Sequence, residues 1–344
     1  MSFNLILNFL STFFVSILIF PALIKVSREK RIFDSPTLIR KIHQFPIPNI
    51  GGVGLFFSIM FCVLLFSNET SKGSNVFLAS FVLLFLFGLK DDLVSLPFFS
   101  RFQAQLVAGL LLILIGDYRV KDFSFIGIIE PNYTLSVIMS LIFFIFLTNA
   151  YNLIDGINGL LGSLTFFSSC FFLLAFILNK YFYSFGLILC VSMLASILVF
   201  LFYNFGKAKI FMGSSGSYII GLFMYFNCIL ILDFDSFSFF LIPKFAFLFA
   251  ILSIPVYDTL RVFFLRLLEK KSPFEADANH VHHRLLKLNI SHKISVMILL
   301  LVNLALLIIN FLIKDNSDLV IIFIDLFILI TLNFILEGMI KKCN

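Results

Sequence analysis

A chain of 344 residues that is 60% hydrophobic and 13% charged, with 50 phenylalanines, has too little polar surface to cover a soluble globule of its size. Composition therefore excludes a water-soluble fold and places the chain in a bilayer. The formal net charge of +6 does not argue for nucleic acid, because membrane proteins need basic loops for orientation and the distribution matters more than the sum.

Apolar stretches suited to spanning run at about residues 3–24, 50–66, 75–89, 103–116, 134–148, 159–178, 183–202, 215–232, 239–257, 294–313 and 319–336. About eleven transmembrane helices are expected, in an all-α polytopic fold without a soluble domain. The third and fourth stretches are short for a span, a deficit that tilt or local thinning accommodates. The first has no charge before Lys25 and no small-residue cleavage pattern, so it reads as a retained helix and not a signal peptide. Of the five cysteines, Cys62, Cys170, Cys190 and Cys228 sit in apolar runs and Cys343 near the end; without C-x-x-C spacing they suggest neither disulfides nor structural zinc.

Alternate loops sort the basic residues. Lys72, Arg119, Lys121, Lys180, Lys244 and Lys314 fall on one side, and the other nineteen of the 25 Lys and Arg fall opposite. The positive-inside rule makes the richer side cytoplasmic, with the amino terminus outside and the carboxyl terminus inside. The whole chain, 1–344, then reads as one integral membrane domain with cytoplasmic segments at about 25–49, 90–102, 149–158, 203–217 and 258–293.

Those segments carry the chemistry. The first joins Asp34-Ser35-Pro36 and Arg40-Lys41-Ile42-His43 to a Pro/Gly-shaped approach to the second helix, and its cations either touch substrate or only satisfy topology and anionic lipid. Asp91 and Asp92 end the third helix as adjacent carboxylates, suited to a hard cation or to a phosphate nucleophile, or else to a hydrated helix end. Asn149, Asn152 and Asp155 are spaced by three, so a continuing fifth helix would put them on one face, and Gly156 follows. Polar groups beside a bilayer core are costly and by default mark function, although a plain Asp or Asn cap is the alternative. The run 210–217, with Gly213, Ser214, Ser215, Gly216 and Ser217, opens the eighth helix as an anion cradle of unpaired amides and hydroxyls, or as an ordinary turn. Finally, His280, His282 and His283 crowd beside Arg284; imidazoles can bind phosphate, a base or a metal, and guanidinium forks onto phosphate. Topology brings Asp91, Asp92, Asp155, Ser214, His280, His282 and Arg284 to one membrane face. Acids at helix ends differ from the midplane sites of secondary transporters.

At these residues the chain resembles the polyprenyl-phosphate N-acetylhexosamine-1-phosphate transferases, the membrane family of WecA, TagO and MraY (glycosyltransferase family 4). The likeness covers about residues 33–286. Its R-K-x-H, P and G-G pattern is met by Arg40, Lys41, His43, Pro48, Gly51 and Gly52, and its paired aspartates by Asp91 and Asp92. N-x-x-N-x-x-D-G appears at Asn149, Asn152, Asp155 and Gly156; P-x-x-D-T at Pro255, Asp258 and Thr259; and D-x-x-H-x-H-H-R at Asp277, His280, His282, His283 and Arg284. The histidine loop looks like the WecA and TagO branch. Two positions depart from the pattern: Asn158 and Ser214 stand where aspartates are usual.

The resemblance implies an MraY-like bundle in a bacterial cytoplasmic (inner) membrane that transfers N-acetylhexosamine-1-phosphate from a UDP-sugar to undecaprenyl phosphate, releasing UMP and initiating a cell-surface glycan such as O-antigen or a wall polymer. It implies magnesium, with manganese as the alternative ion, held by Asp91, Asp92 and Asp155. Those three with His282 would be catalytic; Lys41, His43, Asn149, Asn152, Asn158, Ser214, His280, His283 and Arg284 would bind substrate. Nucleic acid is not an expected partner, and a homodimer is the default assembly. Two other readings stand beside it: a transporter or flippase of lipid-linked sugars, and a catalytically impaired relative serving as a partner.

Overall fold

All eleven apolar stretches become helices in the computed structural model of the chain, which describes residues 2–30, 47–66, 72–128, 131–181, 184–234, 237, 239–270 and 279–343. In chain order these are α1 (Ser2–Lys30), α2 (Gly51–Phe66), α3 (Lys72–Leu93), α4 (Phe98–Leu110), α5 (Tyr133–Leu153), α6 (Leu160–Leu178), α7 (Phe185–Asn204), α8 (Gly213–Leu232), α9 (Lys244–Leu268), α10 (Val281–Lys287), α11 (His292–Leu312) and α12 (Asp318–Cys343). Among the described residues nine helices are long and apolar enough to cross a membrane, while α2 is apolar but only 16 residues long. The protein is thus an all-helical, multi-pass membrane protein.

The two stretches that looked short have a common explanation. α3 runs 22 residues because it continues through Lys90, Asp91 and Asp92, polar residues that lower local hydropathy without breaking a helix. α4 starts at Phe98, behind Pro97 at its N-cap, and its π-helical continuation Leu111–Ile115 completes an 18-residue span. The helix that the apolar pattern does not announce is α10, a two-turn element carrying the histidines.

α8 is the axis of the bundle. Its span is buried almost throughout, whereas α1 and α12 present most of their surface outward. It packs against α5, α3 and α2. Lipid tails are as apolar as leucine, so association depends on close packing and internal hydrogen bonds, and small residues permit the approach. A Cβ on Gly52 of α2 would overlap the Gly216 amide, and one on Gly88 of α3 would lie 2.5 Å from the Ser215 Cα. Around this axis phenylalanines interleave: Phe56 stacks on Phe85 at 3.8 Å between ring centres, and Phe77 meets Phe226 at 4.5 Å.

Several polar side chains inside the apolar bundle pair with one another, which offsets the absence of water in the hydrocarbon. Asn8 accepts from Ser192 at 2.9 Å and so joins α1 to α7. Ser253 donates to Asn303 at 2.7 Å, and Asn310 donates to the buried Asp325 at 3.0 Å, tying α9, α11 and α12 into a second group.

The Gly52 contact carries a direct expectation. Gly52→Ala forces a methyl group against backbone that cannot swing aside, and overpacking of this kind costs about 1–3 kcal/mol. Thermal unfolding of the detergent-solubilised variant should show a lowered midpoint, while the same change at Gly338, which meets nothing within 4 Å, should leave it unmoved.

Candidate active site

One end of the bundle gathers the end of α3, the α5–α6 turn, the start of α8 and the short helix α10. The first amides of α8 have no partner within the helix and carry its positive dipole end, so they attract anions. Gly213 starts the helix at φ +77°, a left-handed conformation that glycine adopts without strain. A side chain there would also lie 2.7 Å from both Asp92 carboxylate oxygens and from the Asn49 carbonyl.

The anions that fill this cradle belong to the chain itself. The Ser214 amide donates to Asp92 at 2.7 Å and the Ser215 amide at 3.0 Å; the Ser215 hydroxyl adds a bond of 2.6 Å, and Asn49 donates from 3.3 Å. The Gly213 amide lies close enough to Asp155 to hold its pKa down. Asp91 faces the same turn: the Ser214 hydroxyl donates to it at 2.7 Å, and its other oxygen accepts from the Leu96 amide at 2.8 Å. Ser214, expected to touch substrate, therefore bridges α8 to α3.

Asp155 is held against its ordinary chemistry. Burial pushes its pKa up to about 7, with the nearby Asp92 charge adding to the rise and the Gly213 amide opposing it. A carboxylate crowded by burial and by another acid is one that a cation would stabilise. Among the described residues no three His, Cys, Asp or Glu side chains close into a metal cluster. Magnesium needs no such cluster, since one or two carboxylates with waters and substrate phosphates suffice, so the donor chemistry of Asp155 beside Asp91 and Asp92 fits that ion.

The two asparagines on α5 have partners within the bundle. Asn149 donates to Gln105 of α4 at 2.8 Å, and Asn152 accepts from Ser217 of α8 at 2.8 Å. They hold the end of α5 between its neighbours. Asn158 is buried at 7% exposure; its side chain donates to the Gly206 carbonyl at 2.7 Å and its amide to His292 at 3.2 Å. The adjacent Gly159 amide donates to Asn204 at 2.6 Å, so the α5–α6 turn is pinned to the α7–α8 loop.

The histidine segment is organised from α9. Asp258, 1% exposed, pairs with His280 Nδ1 at 2.9 Å through one oxygen; the other accepts from the Val281 amide and from Arg261, each at 2.9 Å. Arg261 also donates to the Asn279 carbonyl. This places α10 so that His282 lies over Gly156, where a Cβ would overlap Nε2. His282 is fully buried and neither ring nitrogen has a hydrogen-bond partner. Its ring centre is 5.6 Å from that of His280 and 4.3 Å from that of His283. Arg284 turns to α12, where it donates to Asn333 and approaches Glu337 at 3.9 Å.

Thus Asp91, Asp92, Asp155 and Ser214 meet at the start of α8; His280, His282 and His283 cluster beside the Asp155-Gly156 turn. Asn149, Asn152 and Arg284 are engaged with neighbouring helices. Lys41 and His43 lie outside the described residues. Three participants carried no site assignment from sequence. Asp258 had its P-x-x-D-T match as a signal; Asn49 had only its place before the Gly-Gly pair; Arg101, which lies with Asp91 near Tyr218, had only its position on the basic side.

The pKa of the buried His282 is lowered to about 3, chiefly by burial, so it is neutral at physiological pH. The unfolded chain takes up that proton below about pH 6.5 and the folded chain does not, so stability falls as pH drops from about 6.5 toward 3. Asp155 acts oppositely: folded, it keeps its proton up to about pH 7, so stability falls as pH rises from about 4 to 7. Thermal midpoints across pH should show a shallower acid-side slope in His282→Gln and a shallower near-neutral slope in Asp155→Asn.

The sequence pattern of glycosyl transferase family 4 matches residues 74–232. The chain is 28% identical over 97% of its length to 92% of a Bacillus subtilis protein named "Probable undecaprenyl-phosphate N-acetylglucosaminyl 1-phosphate transferase". It is 29% identical, over 75% of its length and 74% of the relative, to the undecaprenyl-phosphate alpha-N-acetylglucosaminyl 1-phosphate transferase of Thermotoga maritima. A protein of the same name from Escherichia coli K12 is also 29% identical, over 80% of this chain and 76% of that one.

Proposed function

We propose, for a chain that belongs to glycosyl transferase family 4, that it joins a UDP-activated N-acetylhexosamine-1-phosphate to undecaprenyl phosphate, giving undecaprenyl-diphospho-sugar and UMP. The observation that carries this reading is the meeting of Asp91, Asp92 and Asp155 at the start of α8, with the histidine helix closing over Gly156. The relatives' names supply the reaction class, and N-acetylglucosamine is the sugar they support best.

The acceptor phosphate attacks the donor's β-phosphorus; the new P–O bond forms as the bond to the UMP oxygen breaks, and the electron pair leaves with UMP. Both reactants are anionic, so alignment and charge neutralisation are the protein's main tasks. Magnesium, held by Asp155 with Asp91 and Asp92, would supply positive charge to the crowded phosphates. Asp92 keeps the start of α8 in place through its four donors, and Asp91, bonded by Ser214, faces the same turn. His282, neutral and with both nitrogens unpaired, is disposed to hydrogen-bond an incoming diphosphate or base. The basic loops support a site on the cytoplasmic side with the amino terminus outside, and the bacterial relatives support the cytoplasmic membrane as its location.

A second reading, an impaired relative acting as a partner, draws on Ser214 and Asn158. Neither brings charge, and each is engaged in a hydrogen bond within the chain. The assay is UMP release by purified protein given undecaprenyl phosphate, magnesium and a panel of UDP-sugars. Release with at least one N-acetylhexosamine donor is expected; none with any donor, while a matched active relative turns over, would sink the transferase reading.

Two substitutions refine it. Asp155→Asn should lower turnover at least about 100-fold, the scale of losing one charge-stabilising group, with the fold retained. Ser214→Asp sets a new carboxylate against Asp91, so its thermal midpoint should fall without magnesium and recover more with magnesium than the parent's does.

A further inference from the structure

We propose that a groove at the basic end of α1, away from the acidic site, holds the headgroup of an anionic membrane phospholipid. Its volume is about 500 Å³, and its walls come from α1, the end of α7 and the loop that follows. Lys25 and Arg28 stand one turn apart on α1, and Lys209 faces them from the loop. The Lys209 amide donates to the Tyr203 carbonyl at 2.8 Å after a turn at Gly206, φ +85°, and the Lys209 ammonium lies 5.9 Å from the Tyr203 ring centre. Tyr203 is itself packed on Phe20 of α1. The third cation is therefore held in place by the fold.

Three cations line this groove against one carboxylate, Glu29, and among the described residues no ion pair neutralises Lys25, Arg28 or Lys209. Basic pockets between helices at a membrane face suit anionic headgroups. The ligand is a lipid and not a free anion because of what continues from the groove. Phe14, Leu18, Pro21, Lys25 and Arg28 follow one another at intervals of three or four, so one stripe of α1 passes from apolar to basic. Phe14 is 61% and Leu18 73% exposed, and Phe202, whose ring meets that of the groove residue Tyr203, is 78% exposed, apolar surface for acyl chains beneath a phosphate.

The groove is distinct from the acidic centre. The segment before α2 is interposed: Phe200 crowds Gly51 on one side, and Asn49 donates to Asp92 on the other. Bonds of 2.8 Å from the Phe211 amide to the Pro48 carbonyl and from the Gly51 amide to the Phe211 carbonyl close that wall. The assignment does not depend on the transferase reading.

Native mass spectrometry of the full-length protein, with dioleoylphosphatidylglycerol and dioleoylphosphatidylcholine titrated separately, tests it. The parent should retain one phosphatidylglycerol in preference to phosphatidylcholine. The Lys25→Gln/Arg28→Gln/Lys209→Gln variant should bind phosphatidylglycerol at least about tenfold more weakly, the scale expected for removing juxtamembrane charges. Glu29→Gln should bind it more tightly, and this arm stands even if the triple variant does not fold. Equal retention of the two lipids by the parent, or no gain in Glu29→Gln, would overturn the proposal. So would undecaprenyl phosphate displacing phosphatidylglycerol one for one, which assigns the groove to the acceptor, or inorganic phosphate displacing it at equal concentration, which assigns it to a soluble anion.

Discussion

The start of α8 has more orphan amides than its own sequence can satisfy. Met212, at the N-cap, has no side-chain oxygen to offer, and the first turn contains no acid. Asp92 from α3 supplies acceptors for the Ser214 and Ser215 amides, and Asp155 from the α5–α6 turn lies near the Gly213 amide. A helix end in apolar surroundings with those amides unmet would cost about 1–3 kcal/mol for each lost bond. The central helix of the bundle, the α5–α6 turn and the acidic end of α3 thus hold each other in place, and Gly52 and Gly88 let the backbones come close enough for it.

The same bonds shape the chemistry. An anion cradle at a helix start normally receives a ligand. Here two carboxylates occupy it, so the positive end of the α8 dipole stabilises the chain's own acids, and the charge that would face phosphates must come from elsewhere. Asp155 sits at the edge of this balance, with one amide nearby, a neighbouring acid and little water. His282, on a helix held by Asp258, packs over the neighbouring Gly156. A side chain at 156 would overlap the His282 ring, a steric reason for glycine after Asp155.

The helices were legible in the sequence because the bilayer imposes long apolar runs, and polar ends blurred the boundaries of α3 and α4 without hiding them. The α10 helix was not legible from hydropathy, since seven residues with two histidines and an arginine have no apolar run to announce them. The spacing of Asn149, Asn152 and Asp155 suggested one continuous helix face, but α5 ends at Leu153 and leaves Asp155 in the turn, and spacing within a segment does not reveal the partner across the bundle. Gln105, Ser217 and Gly213 answer these three residues from 44, 65 and 58 positions away, set by packing. Asp258 shows the same limit. Its pairing with His280 becomes visible only when α9 and α10 are side by side.

The cap on α8 also bears on how the protein is made. Asp92 and Asp155 leave the ribosome 121 and 58 residues before Gly213, so α3, α5 and α6 enter the membrane with their acids still lacking the amides that will receive them. Until α8 arrives, water or lipid headgroups must solvate those carboxylates, which keeps that end of the half-built bundle open. Insertion of the eighth helix is then the step that seals it.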